Sequence, residues 1–302
     1  MRVIFMGTPD YASRILEALV TAEDVDVVAV YTQPDKPVGR KKVMTPPPVK
    51  TVALEAGISV HQPERLRSDD VVTELQAIPC DYIVVAAYGQ ILPKAVLEHA
   101  PCINLHASIL PQYRGASPIQ QTLLNGDAET GVTAMLMDEG LDTGAIIKIE
   151  RIPVPGDEMV ATLFERLTDL AAVLTLDVLR GFNGYAPVTQ EEAAATHCRK
   201  ISKADGEVAF DDATELYNRY RAFTPWPGVF LSGGLKLKKM ALESASGAHR
   251  PGEILSVDAE SAVVGCREGA LRLFAVQPPS KKEMAVTDYL NGQRLGVADL
   301  LA

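Results

Sequence analysis

The 302-residue sequence predicts an α/β protein, in which a Rossmann-like, doubly wound and mostly parallel sheet is followed by a small β-barrel similar to the oligonucleotide-binding (OB) fold. Two observations predict the sheet. The chain opens with a strand–helix–strand pattern over residues 2–6, 11–22 and 25–32, and residues 82–87 form the continuous apolar run of a central strand. The barrel is predicted by about five short alternating segments after residue 207, separated by Gly, Ser and Asp turns.

The remaining elements of the first part follow in order along the chain. Apolar periodicity and capping residues predict helices over residues 48–56, 68–77, 118–125 and 162–180, and strands over 102–106, 132–137 and 145–152. The last of these helices ends at Gly181, and a polar stretch follows it. We therefore expect a domain over residues 1–182, a linker over 183–206 and the barrel over 207–302.

Composition excludes several classes of protein. A formal net charge of −10 argues against general nucleic-acid binding. The charge is unevenly distributed, since residues 1–195 carry a net charge of −11 and residues 196–302 a net charge of +1. The four cysteines are far apart and form no C-x-x-C pair, which predicts neither a metal site nor a disulfide framework. The first turn lacks G-x-G-x-x-G, so a dinucleotide is not expected. No apolar run approaches the roughly 20 residues of a membrane span, and we expect a cytoplasmic protein with no membrane partner.

The stretch over residues 102–118, C-I-N-L-H-A-S-I-L-P-Q-Y-R-G-A-S-P, contains the first candidate site residues. Asn104 and His106 are two residues apart on a predicted strand, so their side chains point to the same face. An amide donor beside an imidazole suits a site that stabilises an oxyanion and moves a proton. The alternative is a buried pair that satisfies each other or the backbone, and this stretch alone leaves both interpretations open.

A second candidate lies in the loop D-E-G-L-D-T-G, residues 138–144, which joins two predicted strands. A carboxylate in this tight loop could reach His106 and orient its imidazole. The alternative is an Asp that only shapes the turn.

Two further loops are unusual for a compact α/β domain. Residues 33–48 form a long, proline-rich connection that carries four cations in an acidic domain, and these could clamp phosphates: Lys36, Arg40, Lys41 and Lys42. The alternative is a solvated loop. Residues 88–93, Y-G-Q-I-L-P, follow the central strand, so they and the loop after His106 should border one crevice at the carboxyl edge of the sheet.

The motif N-L-H-A-S-I-L-P-Q-Y-R-G, followed by D-E-G-L-D-T-G, resembles the folate-dependent formyltransferases. The resemblance implies that Asn104, His106 and Asp142 are catalytic. Ile109 replaces the leucine that is usual in the family, which is a mild apolar change. With the loop before it, the motif implies a folate site lined by Tyr88, Gly89, Gln90, Ile91, Leu92, Ser108, Ile109, Leu110 and Pro111.

Over nearly the whole chain, the closer resemblance is to the methionyl-tRNA formyltransferases. It extends to Q-P-D-K-P-V-G-R-K-K, A-Y-G-Q-I-L-P, F-T-P-W-P and V-Q-P-P-S-K-K-E-M, although the basic loop has one glycine fewer than bacterial members have. It implies formyl transfer from 10-formyltetrahydrofolate to initiator methionyl-tRNA, without a metal. It also implies that the basic loop and the barrel contact tRNA, and we expect a monomer.

Three alternatives remain. A formyltransferase acting on an amino-sugar nucleotide would share the catalytic residues, but we expect it to lack the basic loop. Glycinamide ribonucleotide formyltransferases lack the second domain. A non-enzymatic RNA-binding protein on the same scaffold is disfavoured by the intact Asn104, His106 and Asp142.

Overall fold

The computed structural model describes residues 1–39 and 41–301. Their helices are α1 (Asp10–Thr21), α2 (Pro48–Glu55), α3 (Asp69–Gln76), α4 (Lys94–Leu97), α5 (Pro118–Asn125), α6 (Val160–Gly181), α7 (Ala213–Phe223) and α8 (Val286–Gln293). Their strands are β1 (Arg2–Gly7), β2 (Asp26–Tyr31), β3 (Lys36–Val38), β4 (Val43–Thr45), β5 (Val60–His61), β6 (Tyr82–Ala86), β7 (Cys102–His106), β8 (Arg114–Gly115), β9 (Glu129–Leu136), β10 (Ile146–Pro153), β11 (His197–Cys198), β12 (Val229–Phe230), β13 (Lys236–Ser244), β14 (Ile254–Val257), β15 (Ala262–Gly265), β16 (Ala270–Gln277) and β17 (Met284–Ala285).

The main sheet has seven strands in the order β10-β9-β7-β6-β1-β2-β5. The five strands from β7 to β5 pair in parallel, and β9 and β10 add an antiparallel edge. The central strands β1, β6 and β7 are buried along nearly their whole length, which explains why they are continuous apolar runs rather than alternating ones. The order places β6 beside β7, so the loops after these two strands start from neighbouring strand ends.

Residue contacts divide the described chain into two compact units. Unit 1 contains Met1–Pro118, Glu129–Pro153 and Leu163–Cys198, and unit 2 contains Ile119–Ala128, Val154–Thr162 and Arg199–Ala302. Unit 1 thus includes residues 183–198, most of the stretch that was expected to be a linker. The division into three segments that was proposed from the sequence stays a prediction.

Unit 2 contains an antiparallel sheet in the order β12-β13-β16-β15-β14, with β17 paired to β16. The longest strands of this sheet, β13 and β16, are also the most extensively paired, and each contains both buried residues and residues that are at least partly exposed. The predicted fold class, a Rossmann-like sheet domain followed by a small β domain, is confirmed. Five of the short strands predicted for the barrel correspond to β12–β16, and β17, which was not predicted, completes this six-stranded sheet.

Candidate active site

The end of β7 positions the first two candidate residues. Asn104 pairs with Val85 on the parallel neighbour β6 and with Met135 on the antiparallel neighbour β9. His106 lies two residues further along β7, so both side chains project from the same face of the sheet. Asn104 is 8% exposed and His106 is 7% exposed. The strand therefore holds an amide and an imidazole side by side in a nearly water-free position.

Hydrogen bonds close the turn that follows β7. The Ser108 amide donates to the His106 carbonyl at 2.9 Å, and the Ser108 hydroxyl donates to the Gln112 carbonyl at 2.6 Å. The Thr133 hydroxyl of β9 donates to the Ser108 carbonyl at 2.7 Å and accepts from the Leu110 amide at 3.1 Å. Ser108 thus uses its hydroxyl to shape its own turn.

Both ring nitrogens of His106 face an oxygen atom. Its Nε2 lies 2.9 Å from the Tyr113 carbonyl, which can only accept, so this nitrogen carries a proton and donates it. Its Nδ1 lies 3.7 Å from Oδ2 of Asp142. The two ring nitrogens therefore each face an oxygen acceptor, which fixes the orientation of the imidazole.

Asp142 occupies an unusual backbone position. Its φ angle is +55°, in the left-handed region that side-chain-bearing residues rarely adopt. The same Oδ2 that faces His106 accepts a hydrogen bond from the Gly115 amide at 2.8 Å. Gly115 has φ +123°, and a Cβ at this residue would lie 2.2 Å from the Cys198 carbonyl oxygen. Only glycine fits there, which explains the glycine of the Y-R-G segment.

The Asp142 turn is also closed from within. Oδ1 of Asp138 accepts from the Gly140 amide at 3.0 Å and from the Thr143 hydroxyl at 2.7 Å. Of the two aspartates in D-E-G-L-D-T-G, Asp138 therefore builds the loop and Asp142 reaches the imidazole. The structure thus places Asp142 opposite His106, and the catalytic role expected for it stays a prediction.

The Asn104 amide makes no hydrogen bond to another side chain or to the backbone within the described residues 1–39 and 41–301. Its position beside His106 leaves two N–H donors available at the strand end. Such donors suit a site where negative charge develops on an oxygen atom.

The loop after β6 presents its members differently. Tyr88 and Leu92 are buried in the apolar core, whereas Ile91 is 82% exposed. Both ends of the Gln90 amide are hydrogen-bonded, because Oε1 accepts from the Leu66 amide at 2.7 Å and Nε2 donates to the Pro63 carbonyl at 3.0 Å. Within this loop, the Ile91 side chain and the backbone around Gly89 are the parts open to a ligand.

The basic loop contains a short antiparallel hairpin, β3–β4, that was not predicted from the sequence. Lys36, Lys41 and Lys42 are exposed on it, and Arg40 lies outside the described residues. At the base of the hairpin, the Lys50 ammonium and the Gln62 amide donate to the Asp35 carboxylate at 2.9 and 2.8 Å. These interactions, the Gln62 hydrogen bond first, hold the pKa of Asp35 below its ordinary value.

Sequence reasoning missed a group of residues beside the site. Arg114 is 1% exposed, and its Nε donates to Oε1 of Gln190 at 3.1 Å while its Nη1 contacts the Glu192 carboxylate at 2.9 Å. Gln190 donates in turn to the carbonyls of Asp142 and Gly144. Gln190 and Glu192 lie in the stretch that sequence composition marked as a polar linker. In the sequence, the arginine of Y-R-G-A was the one residue that could have indicated this group.

Two negative findings concern the described part of the chain. No group of three or more His, Cys, Asp or Glu residues within 1–39 and 41–301 is arranged to hold a metal ion. Among the helices described over the same residues, none has the length and apolar character needed to cross a bilayer.

The sequence and the structure were compared with known proteins. The family described as formyl transferase matches residues 1–179, and its C-terminal domain matches residues 200–294. The chain is 59% identical over 302 residues to a methionyl-tRNA formyltransferase of Sulfurimonas denitrificans, with 100% of both chains covered. It is 54% identical over 301 residues to a protein of the same name from Nitratiruptor sp., with 99% of each chain covered.

A solved structure is also similar. The N-formyltransferase from Helicobacter canadensis, in complex with folinic acid and dTDP-3-aminofucose, aligns with a TM-score of 0.66 and 18% identity, over 91% of this chain and 99% of that one. At this low identity, the likeness concerns the fold alone.

Proposed function

The chain belongs to the methionyl-tRNA formyltransferase family, and we propose that it transfers the formyl group of 10-formyltetrahydrofolate to the α-amino group of initiator methionyl-tRNA. The product is N-formylmethionyl-tRNA for translation initiation. The observation that carries the proposal is the meeting of Asn104, His106 and Asp142 at one buried strand end. Full-length identity of 59% to a relative of that name supports the choice of acceptor.

The reaction is a direct transfer. The α-amine attacks the formyl carbon, a C–N bond forms, and negative charge develops on the formyl oxygen. The bond from that carbon to N10 of the folate then breaks, the amine loses a proton and the folate nitrogen gains one. The enzyme must stabilise the oxyanion and help to move this proton.

The described geometry suggests how each residue contributes. Asn104 donates an N–H to the oxyanion, since its amide has no competing partner in the described residues. His106, oriented by the Tyr113 carbonyl and Asp142 that face its two ring nitrogens, stabilises the developing charge and helps to move the proton of the amine. Proton transfer then proceeds through a water beside the ring, since each ring nitrogen already faces a protein oxygen.

We propose that the folate lies at the carboxyl edge of the sheet, between the loops after β6 and β7. The loops begin on neighbouring parallel strands, where ligands of such sheets bind. Ser108, Ile109, Leu110 and Pro111 form one wall, and the segment from Tyr88 to Leu92 forms the other. Since Tyr88 and Leu92 are buried in the core, they support this wall from behind, and Ile91 meets the ring system.

The tRNA is proposed to bind the hairpin β3–β4. Lys36, Lys41 and Lys42 are exposed, the two strands of the hairpin form a separate two-stranded sheet, and Arg40 belongs to the same basic segment of the sequence. Phosphate groups suit such cations because neutralising them releases counterions. We also infer that the C-terminal β domain contacts the tRNA and that the protein acts as a cytoplasmic monomer, which sedimentation would test.

The test of the function is a formyl-transfer assay with two acceptors. Purified protein, 10-formyltetrahydrofolate and methionyl-tRNA should give N-formylmethionyl-tRNA. A dTDP-amino sugar in place of the tRNA should give no product. Transfer to the sugar alone would contradict the proposal and favour an amino-sugar formyltransferase.

A further inference from the structure

Three consecutive residues after strand β7 each make a hydrogen bond at or beside the candidate site. The Tyr113 carbonyl accepts from Nε2 of His106 at 2.9 Å. The Gly115 amide donates to the Asp142 carboxylate at 2.8 Å. The side chain of Arg114, between them, has no hydrogen bond to His106 or Asp142 within the described residues, and its guanidinium donates instead to Gln190, beside the site, at 3.1 Å.

Gln190 completes the connection to Asp142. Its Nε2 donates to the Asp142 carbonyl at 2.9 Å and to the Gly144 carbonyl at 2.8 Å, and its Oε1 accepts from Arg114. Gln190 is 8% exposed, so the bonds to Arg114 and Gly144 are buried and the bond to Asp142 is partly buried. The amide thus uses both of its N–H groups on one turn, on either side of Thr143.

The Asp142 turn needs such support. A left-handed φ of +55° is unfavourable for Asp and persists only where surrounding contacts over-determine it. The internal hydrogen bonds from Gly140 and Thr143 to Asp138 are exposed to solvent, where water competes for them. The bond from Gln190 to the Gly144 carbonyl is buried and the bond to the Asp142 carbonyl is partly buried, so water competes less for them and they are the stronger constraint on this backbone.

We propose that Gln190, held in place by Arg114, is a positioning residue that fixes the Asp142 carboxylate opposite His106 during formyl transfer. This inference rests on the function proposed above. Gln190 touches neither substrate in this account and acts only through Asp142. Glu192, whose side chain is 78% exposed, contributes less, because it acts one step further away, through Arg114.

The chain position of Gln190 explains how the site depends on it. Residues 188–198 lie beside the start of β10 and beside β8. Val188 exchanges two backbone hydrogen bonds of 2.8 Å with Ile146, and β11 pairs with β8. The same stretch brings Cys198, whose thiol donates to the Tyr113 carbonyl at 3.3 Å and stays protonated because burial raises its pKa. The last segment of unit 1 therefore packs against residues 113–115, which follow His106 in the sequence.

The test compares four variants in the formyl-transfer assay with methionyl-tRNA. We expect Gln190→Ala to lower kcat by about 10- to 100-fold and to leave both KM values within about twofold. Gln190→Glu keeps the acceptor for Arg114 but loses both N–H groups, so it should be equally impaired. Glu192→Gln should cost less than about threefold. The exposed neighbour Glu191 provides the control, and Glu191→Ala should behave as wild type.

A double-mutant cycle separates positioning from general stability. If Gln190 acts through Asp142, adding Gln190→Ala to Asp142→Asn should lower kcat by less than about twofold. A multiplicative loss in the double variant would overturn the proposal and assign Gln190 a structural role. Wild-type turnover by folded Gln190→Ala or Gln190→Glu would also overturn it.

A second readout does not depend on activity. Hydrogen exchange should report faster opening of the Gly115 amide and of residues 138–144 in both Gln190 variants, by about tenfold or more, and no change in Glu191→Ala. Unchanged exchange at these amides would contradict the positioning role. If the wild type transferred no formyl group to methionyl-tRNA, the proposed function would fail, and the exchange result would still decide the role of Gln190 in fixing the Asp142 turn.

Discussion

The turns around His106 and the hairpin β3–β4 are both loops of unit 1, and they are built in opposite ways. His106, Asn104 and Arg114 are at most 8% exposed, and the turns around them are closed by hydrogen bonds from several strands. The hairpin residues Lys36–Val38 and Val43–Thr45 are all exposed, and these two strands pair only with each other.

The difference follows from the two tasks that we propose. Stabilising a charge at one reacting atom requires donors fixed in advance, because reorienting them would cost free energy at each turnover. Binding a string of phosphates requires positive charge that can adjust to the backbone, and exposed lysines provide it. Substitutions in the first region should therefore affect kcat, and those in the second should affect KM.

The largest expected effect is on the oxyanion donor. Asn104→Ala should lower kcat by about 100- to 1000-fold, because one N–H donor to the developing charge is removed. His106→Ala should lower kcat by a similar factor. The measurement is steady-state formyl transfer, with circular dichroism as the control for folding. Near-wild-type turnover by either folded variant would remove that residue from the mechanism.

Asp142→Asn should have the next largest effect on kcat. The substitution keeps the shape of the side chain but removes the negative charge opposite Nδ1 of His106. We expect kcat to fall by roughly 10- to 100-fold, with little change in KM. Asp138→Asn, in the same loop, is the matched control and should be milder, since Asp138 contacts only the loop itself. Equal losses in both variants would indicate that loop integrity, and not the charge of Asp142, matters.

The hairpin should give the opposite kinetic pattern. Replacing Lys36, Arg40, Lys41 and Lys42 with Ala should raise the KM for methionyl-tRNA and leave kcat and the KM for the folate nearly unchanged. The dependence of binding on salt should also flatten, by about 0.7–0.9 in logarithmic slope for each tRNA phosphate that the variant no longer neutralises. Arg14→Ala with Lys94→Ala, exposed cations elsewhere in unit 1, is the control. An unchanged slope in the fourfold variant would refute the role of the loop.

The smallest effect concerns the base of the hairpin. Hydrogen bonding by Gln62 and the nearby Lys50 ammonium lower the pKa of Asp35, so its contribution to stability is present above the unfolded-state pKa of about 3.9 and disappears as pH falls through the lower folded-state value. Asp35→Asn should lower the Tm by about 1 °C at pH 7. The difference should shrink near pH 3, as scanning calorimetry can measure. A constant difference at both pH values would exclude this ionic contribution.

Much of the first domain and its site could be predicted because local patterns determine them. The period of two along a strand is enough to place Asn104 and His106 on one face, and the predicted helix over 162–180 corresponds to α6 at Val160–Gly181. The two loops at the carboxyl edge followed from the parallel order of the sheet. These features depend on residues that are close in sequence, or on a rule of fold topology.

The features that could not be predicted depend on interactions between distant segments. Gln190 reaches Asp142 across 48 positions and Arg114 across 76, and the polar composition of its neighbourhood suggested a linker. The left-handed backbone of Asp142 is imposed by its surroundings, since Asp has no strong intrinsic preference for it. The hairpin β3–β4 was missed because prolines interrupt the pattern of its short strands.

The order of the strands sets the distance between the hairpin and the catalytic residues, which a substrate bound at both places must span. The hairpin leaves the sheet after β2, and the catalytic residues lie at the end of β7, three strands away in the order β7-β6-β1-β2. Neighbouring strands are about 4.8 Å apart, so the two points are separated by roughly 14 Å. Phosphates along one strand of double-stranded DNA are spaced by about 3.4 Å, and at a spacing of this order several nucleotides would span the distance. An acceptor whose amine lies much closer to its phosphates than this could not occupy the hairpin and the formyl site at once. Unit 1 would then distinguish acceptors by their reach as well as by their charge.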